Sequence, residues 1–295
     1  MADHSSHRSD GKPEKKKQKK RKLNVDEAAD KEESELLSAF KAYQLELDEK
    51  HDRHERLVKT SRDVTSQSKK IIFLLHRVVG VEDKDKILAE ADEKFGDVRK
   101  LVQHIAMELR DDDSPDAGHR YRRAYRMGIQ EYVEALGFSF YCRYGRLVTY
   151  DEVVATTQCE RQVFEKDDGE KSPPEKIPHT VESSPIRLFV DPLDYVLGIA
   201  DLTGECMRLC INSVGSGKTR DLAHICDFVR GLYSAFSTLD KTASSEIGKK
   251  MNVMAESLRK IETTCYNVIV RGSECPRHVL IADNGPANRD QTEIL

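Results

Sequence analysis

The stretch Ile87-Leu88-Ala89-Glu90-Ala91-Asp92-Glu93-Lys94-Phe95-Gly96-Asp97-Val98-Arg99-Lys100-Leu101-Val102 decides the class of fold. Its apolar positions, Ile87, Leu88, Ala91, Phe95, Val98, Leu101 and Val102, continue to Ile105 and Leu109 in steps of three and four. A half-buried strand alternates every second residue; this pattern instead lines one stripe of a helix. It predicts a helix over 83–110, broken by Asp111-Asp112-Asp113-Ser114-Pro115-Asp116.

The same reading extends outward. No proline lies between Pro13 and Pro115, or between Pro192 and Pro276, so long helices are permitted in both stretches. In the first, Leu36, Phe40, Tyr43 and Leu47, then Val64, Ser68, Ile71, Ile72, Leu75, Val78 and Val79, fall at helical spacing. One helix over 33–79, whole or broken midway, is about 70 Å long and needs a partner along its length. Further helices are predicted at 117–142, 149–157, 191–214, 219–238 and 244–270. Thr149 with Glu152 forms a capping-box pattern, and Pro192 suits a helix N-terminus. The fold class is therefore all-α, a bundle of about seven helices with a long first helix and no convincing strand pair. Residues 1–30 read as a disordered basic arm, 31–278 as the helical domain, and 279–295 as a flexible tail. The stretch 159–185, with Pro173-Pro174, Pro178 and Pro185 among charges, reads as a mobile insertion.

Composition excludes several classes. Charged residues make up 34% and aromatics 6% of the 295 residues, with no Trp, which disfavours a β-sandwich. The longest apolar run, Ile71–Leu75, is far short of the roughly 20 residues of a membrane span. A polar first 30 residues offers no signal-peptide core. Seven irregularly spaced cysteines without a CxxC argue against a disulfide framework or zinc ribbon and fit a reducing compartment, cytoplasm or nucleus. The net charge of −4 is uneven: residues 8–23 hold nine Lys or Arg and two acids, +7, leaving −11 for the rest. The run Lys15-Lys16-Lys17-Gln18-Lys19-Lys20-Arg21-Lys22 is compatible with a nuclear-import signal, a nucleic-acid tether or a solubilising tail.

Several motifs have plain structural explanations. Gly215-Ser216-Gly217-Lys218-Thr219 resembles the end of a phosphate-binding loop, but Asn212 stands where the first glycine belongs and a helix precedes it. A turn between two helices explains the same residues. His51 and His54 lie among charged neighbours, as on a solvated face. Cys206 and Cys210, four apart, suit core packing. Eight aromatics between Tyr121 and Tyr150 interleave with apolar positions, as core residues do, although they could offer stacking surfaces to bases.

Two sets of acids are harder to explain away. Glu131 and Glu134 are i,i+3 on one side of a helix otherwise apolar at Ile129, Val133, Ala135, Leu136 and Phe138. Asp201 and Glu205 are i,i+4 in a second apolar helix, with Asp194 seven residues earlier and Gly198 and Gly204 allowing close backbone approach. If the two helices pack face to face, three to five carboxylates meet. A hard cation resolves their repulsion, and an all-oxygen set favours Mg²⁺ or Mn²⁺ over zinc. Such a cluster suits phosphodiester hydrolysis. Arg120 and Arg123 stand eleven residues before Glu131 and Glu134, and Arg208 follows Glu205 by three; they can hold RNA phosphates or form salt bridges. A structural ion-pair network remains the competing explanation for the whole cluster.

Gly128 to Ala135, Asp194 to Gly215 and Val270-Arg271-Gly272-Ser273-Glu274-Cys275-Pro276-Arg277-His278 resemble the translin family, more closely its associated-factor-X branch. The resemblance spans about residues 33–278 and rests most specifically on Asp201-Leu202-Thr203-Gly204-Glu205-Cys206-Met207-Arg208. It implies a bundle of about seven helices assembling into hollow, octamer-like shells with translin. It also implies a Mg²⁺-dependent endoribonuclease subunit, cytoplasmic and nuclear, acting on single-stranded or nicked RNA. Passenger-strand removal that activates the RNA-induced silencing complex is the expected role. The family's catalytic acids fall on Glu131, Glu134 and Asp201, with Glu205 as a fourth ligand or helper. The alternative is a non-catalytic adaptor that stabilises translin and carries it to the nucleus.

Overall fold

The computed structural model describes residues 14–79, 83–110, 116–159, 186–240 and 244–271, with side chains from Leu36 onward apart from Cys159, Ile186 and Arg271. The expected all-α architecture is the observed one. Helices α1 (Glu14–Leu75), α2 (Lys84–Arg110), α3 (Ala117–Tyr144), α4 (Tyr150–Thr156), α5 (Pro192–Gly215), α6 (Leu222–Ser237) and α7 (Ser245–Arg271) follow in order. A 3₁₀ turn, His76–Val79, tightens the chain after α1. Strands β1 (Gln158–Cys159) and β2 (Ile186–Arg187) pair antiparallel over two residues each, a short ladder that periodicity did not predict.

The local causes are visible in the side chains. α5 starts with Pro192 in its first turn, and the Asp191 carboxylate accepts the Leu193 N–H at 2.7 Å. α4 carries the full capping box between Thr149 and Glu152. Gly145 ends α3 at φ 67°, and its N–H donates to the Tyr141 carbonyl. α1 begins at Glu14 rather than near residue 33, so the backbone of residues 14–30 is helical where composition suggested disorder. The segment after Pro13 is built largely of Lys, Glu, Ala and Leu, all good helix formers. The insertion at 160–185 and the tail at 279–295 lie outside the described residues.

The chain divides into two compact units, 1–54 and 55–295. In the first, the stripe Leu36, Phe40, Tyr43 and Leu47 is exposed, at 58%, 62%, 59% and 64%. In the second, Val64, Ser68, Ile71, Ile72, Leu75, Val78 and Val79 are all buried, as their spacing predicted. α5 packs most extensively on α3 and α7, α7 also on α6, and α2 on α3. Tyr125, Tyr132 and Phe138 of α3 are among the largest fully buried side chains, so most of the aromatic run is core. Each buried aromatic or aliphatic side chain of this size contributes about 1.5–3 kcal/mol.

Two glycines let helices touch. A Cβ on Gly128 would lie 2.8 Å from both the carbonyl oxygen and the hydroxyl of Ser61, and the Gly128 N–H donates to that hydroxyl at 3.1 Å. A Cβ on Gly198 would lie 2.6 Å from the Gln130 carbonyl and 2.8 Å from Val133 Cβ. Gly204 behaves otherwise: a Cβ there would meet nothing within 4 Å, so no backbone approaches it. Among the described residues no helix is long and apolar enough to cross a membrane.

Candidate metal centre on helices α3 and α5

The α3–α5 contact at Gly198 determines which acids meet. Gln130, whose carbonyl abuts Gly198, immediately precedes Glu131, and Asp201 follows Gly198 by less than one turn. Glu131 and Glu134 of α3 therefore face Asp201 and Glu205 of α5 closely enough to act on one another. Glu134 is buried at 9% exposure. Burial first, then the charges of Asp201, Glu131 and Glu205, push its carboxyl up to about 8, with Lys250 opposing. All four predicted acids thus share one electrostatic site.

Each of the other three is held by its own donor. Lys69 Nζ of α1 lies 3.1 Å from Glu131 Oε1. That hydrogen bond first, and the field of Glu131, Glu134 and Asp201 with it, holds the Lys69 ammonium above its usual range. Lys250 of α7 donates to both carboxylate oxygens of Asp201. Glu205 Oε2 lies 2.6 Å from His76 Nε2 and accepts from Arg208 Nη1 at 3.0 Å. Among the described residues no three His, Cys, Asp or Glu side chains form a group that could hold a metal ion as they stand. In chemistry the donor set is of the kind a hard divalent cation takes: it is all oxygen, and burial first, then the charges of Asp201, Glu131 and Glu205, hold the Glu134 carboxyl up to about 8. A divalent cation there would offset the repulsion among these carboxylates.

Asp194 is not part of this set. It is 1% exposed and bound by Arg122 Nε at 2.8 Å, Gln130 Nε2 at 2.7 Å and Arg126 Nε at 3.4 Å. Asp191 joins Arg122 at 3.0 Å, and Arg126 also reaches Glu246. Seven residues keep Asp194 on the face of Asp201, but they separate the two by about 10 Å along the helix axis. Asp194 therefore meets Arg126 and Arg122 of α3, five and nine residues before Glu131. The ion-pair network that is the rival explanation holds Asp194 here, and it also reaches the candidate acids, since Lys69 pairs with Glu131, Lys250 with Asp201, and His76 and Arg208 with Glu205.

Of the predicted cations, Arg208 binds Glu205 directly. Arg120 and Arg123 are exposed on α3. They stand about 16 Å along the axis from Glu131 and Glu134, too far to neutralise them. The side chains of Lys15, Lys16, Lys17, Lys19, Lys20, Arg21 and Lys22 lie outside the described ones. Gly217, at φ 73°, forms a turn between α5 and α6 with no strand before it, consistent with the connecting-turn reading. Cys206 and Cys210 are fully buried.

Sequence reasoning missed Lys69, Lys250 and His76. The two lysines carry no local signal, since Lys69-Lys70 and Lys249-Lys250 look like ordinary surface pairs. His76 offers one: it directly follows the apolar run Ile71–Leu75.

The Translin family model matches residues 52–272, and the chain belongs to that family. It is 42% identical to the rat Translin-associated protein X over 250 residues, 84% of this chain and 83% of that one. It is 25% identical to human Translin over 224 residues, 75% and 87% respectively. Among solved structures it is similar to AfC3PO in complex with duplex RNA, with a TM-score of 0.53 and 18% identity, covering 80% of this chain and 99% of that one. At that identity the likeness establishes the fold.

Proposed function

We propose that this chain is the metal-dependent, RNA-cleaving subunit of a hetero-oligomer with translin. The observation that carries the proposal is Glu134, a buried acid pressed by three further carboxylates from two helices, in a fold shared with a protein solved on duplex RNA. Glu131, Glu134 and Asp201 would hold Mg²⁺ or Mn²⁺, and Glu205 would complete or orient the set. The cation supplies Lewis-acid polarisation of a phosphodiester oxygen and activation of water. The protein supplies the close α3–α5 contact and, beside the acids, Lys69 and Lys250 as N–H donors for phosphate oxygens. Arg208, and farther out Arg120 and Arg123, are candidates for strand contacts.

The names of its relatives support translin as the partner, and the open stripe Leu36, Phe40, Tyr43 and Leu47 is an apolar face that an assembly would cover. The −11 charge outside residues 8–23 predicts weak RNA affinity for the chain alone and a large gain with a more basic partner. Removal of a nicked passenger strand is the biological setting that fits, and the basic run Lys15–Lys22 is the candidate import signal. The adaptor reading also has an observation in its favour: Glu131, Asp201 and Glu205 are already ion-paired. Cleavage of single-stranded RNA by the chain co-purified with translin, in Mg²⁺ and in EDTA, with Asp201→Asn as control, separates the two. Mg²⁺-dependent cutting lost in the variant supports the nuclease. Cutting indifferent to both changes, or none, leaves the adaptor.

A further inference from the structure

His76 begins the 3₁₀ turn after α1, and that turn packs on α5. Its side chain and that of Glu205 are almost buried, at 9% and 12% exposure, with Nε2 and Oε2 2.6 Å apart. A carboxylate only accepts, so the Nε2–H of His76 donates. The opposite face of the imidazole packs on Phe138, with ring centroids 4.7 Å apart. Phe138 is fully buried and stands one turn beyond Glu134 on α3. The ring is thus wedged between the two helices that carry the acids. Its Nδ1 is buried and has no hydrogen-bond partner. An imidazole that only filled space here would leave a polar atom unsatisfied for no return, and a leucine would fill the same volume without that cost. Among the described residues, the hydrogen bond to Glu205 is the ring's one polar contact.

Both donors to Glu205 land on one oxygen. His76 Nε2 and Arg208 Nη1 both reach Oε2, and Oε1 has no hydrogen bond among the described residues. Arg208 is a largely exposed side chain, as is Lys69 on Glu131. Such long stems can swing away when a cation or a phosphate arrives. The imidazole has far less room to move, being 9% exposed and packed on Phe138.

We propose that His76 is a positioning residue. It locks the Glu205 carboxylate through Oε2 so that Oε1 is presented to a divalent cation held by the acid cluster. The inference rests on the metal-dependent reading given above. It makes Glu205 a preorganised ligand, in contrast to Glu131 and Asp201, which lysines must release. Outer partners of this kind typically change metal affinity or activity by about 10–100-fold.

The test uses the full chain co-purified with translin. Mn²⁺ is titrated and the free ion counted by electron paramagnetic resonance, with the Glu134→Ala complex as baseline for other sites. His76→Leu keeps bulk against Phe138 and deletes the donor; His76→Gln places an amide N–H near the same oxygen. Melting temperature and elution with translin report the integrity of both. The expected result is Mn²⁺ binding weakened about tenfold or more in His76→Leu and largely restored in His76→Gln. The Mg²⁺ concentration for half-maximal cleavage rises by the same factor, while kcat at saturating Mg²⁺ changes little. Wild-type Mn²⁺ affinity in His76→Leu, or equal losses in both variants, overturns the positioning role alone. A wild-type complex with no Mn²⁺ site above the Glu134→Ala baseline overturns the metal reading, and the role of His76 with it.

Discussion

The carbonyl oxygen of Gln130 occupies the space beside Gly198 where any other residue would carry its Cβ, 2.6 Å from that position. Backbone contact between α3 and α5 at this point is what brings Glu131 and Glu134 opposite Asp201 and Glu205. The glycine is required by the approach of the helices, since its own φ is an ordinary helical one.

Gly198→Ala is therefore expected to wedge the helices apart. Val133 Cβ, 2.8 Å away, blocks the other direction of relief. The overpacking cost is about 1–3 kcal/mol or more. Urea unfolding should show a lower midpoint, and Mn²⁺ affinity should fall because the acids no longer converge. A variant with wild-type stability would mean that the two backbones do not touch.

The proton on Glu134 gives a pH dependence of known sign. Its carboxyl is raised from 4.5 to about 8, chiefly by burial and then by its three acidic neighbours. Between those values the folded chain holds a proton that the unfolded chain releases. The associated stability is fully present below about pH 4.5 and is lost as pH rises to about 8. In EDTA the urea midpoint of the wild type should fall from pH 5 to pH 8, with a loss of unfolding free energy of order a few kcal/mol. Glu134→Gln should fall less. Parallel profiles for the two proteins would refute the assignment.

Asp194 separates structural acids from functional ones. Held by Arg122, Gln130 and Arg126 at 1% exposure, it compensates two arginines that have few other partners. Asp194→Asn should cost about 3–5 kcal/mol, the usual penalty for breaking a buried ion pair. At temperatures where the variant remains folded, its Mn²⁺ stoichiometry should equal that of the wild type. Loss of the Mn²⁺ site without loss of stability would place Asp194 in the metal set after all.

Much of this arrangement was legible from spacing. The stripe Ile87 to Leu109 gave α2 almost to the residue, Pro192 marked the start of α5, and Thr149 with Glu152 marked α4. Those signals are local, written within one or two helical turns. The pairing of Glu131 with Glu134 and of Asp201 with Glu205 was legible for the same reason. What spacing could not supply was tertiary. His76 and Glu205 are 129 residues apart, and Lys250 and Asp201 are 49 apart. Asp194 failed in an instructive way: angular position on a helix was read correctly, but displacement along the axis assigned it to the arginines instead. Gly204 failed because a small residue permits close approach without requiring it. The stripe from Leu36 to Leu47 has helical spacing yet stays exposed, because its periodicity records a face to be covered and says nothing of which chain covers it.

If a cation held by the α3 and α5 acids cleaves RNA on this chain, cutting of an end-labelled single-stranded RNA by the translin complex, wild type against Glu134→Ala, each in Mg²⁺ and in EDTA, shows it directly. Cleavage is expected only by the wild type in Mg²⁺, with Glu134→Ala reduced at least about 100-fold, in line with loss of a group that stabilises transition-state charge, while still assembling with translin. Equal cleavage by both complexes, or cleavage that survives EDTA, would contradict that reading and leave the acids a structural role.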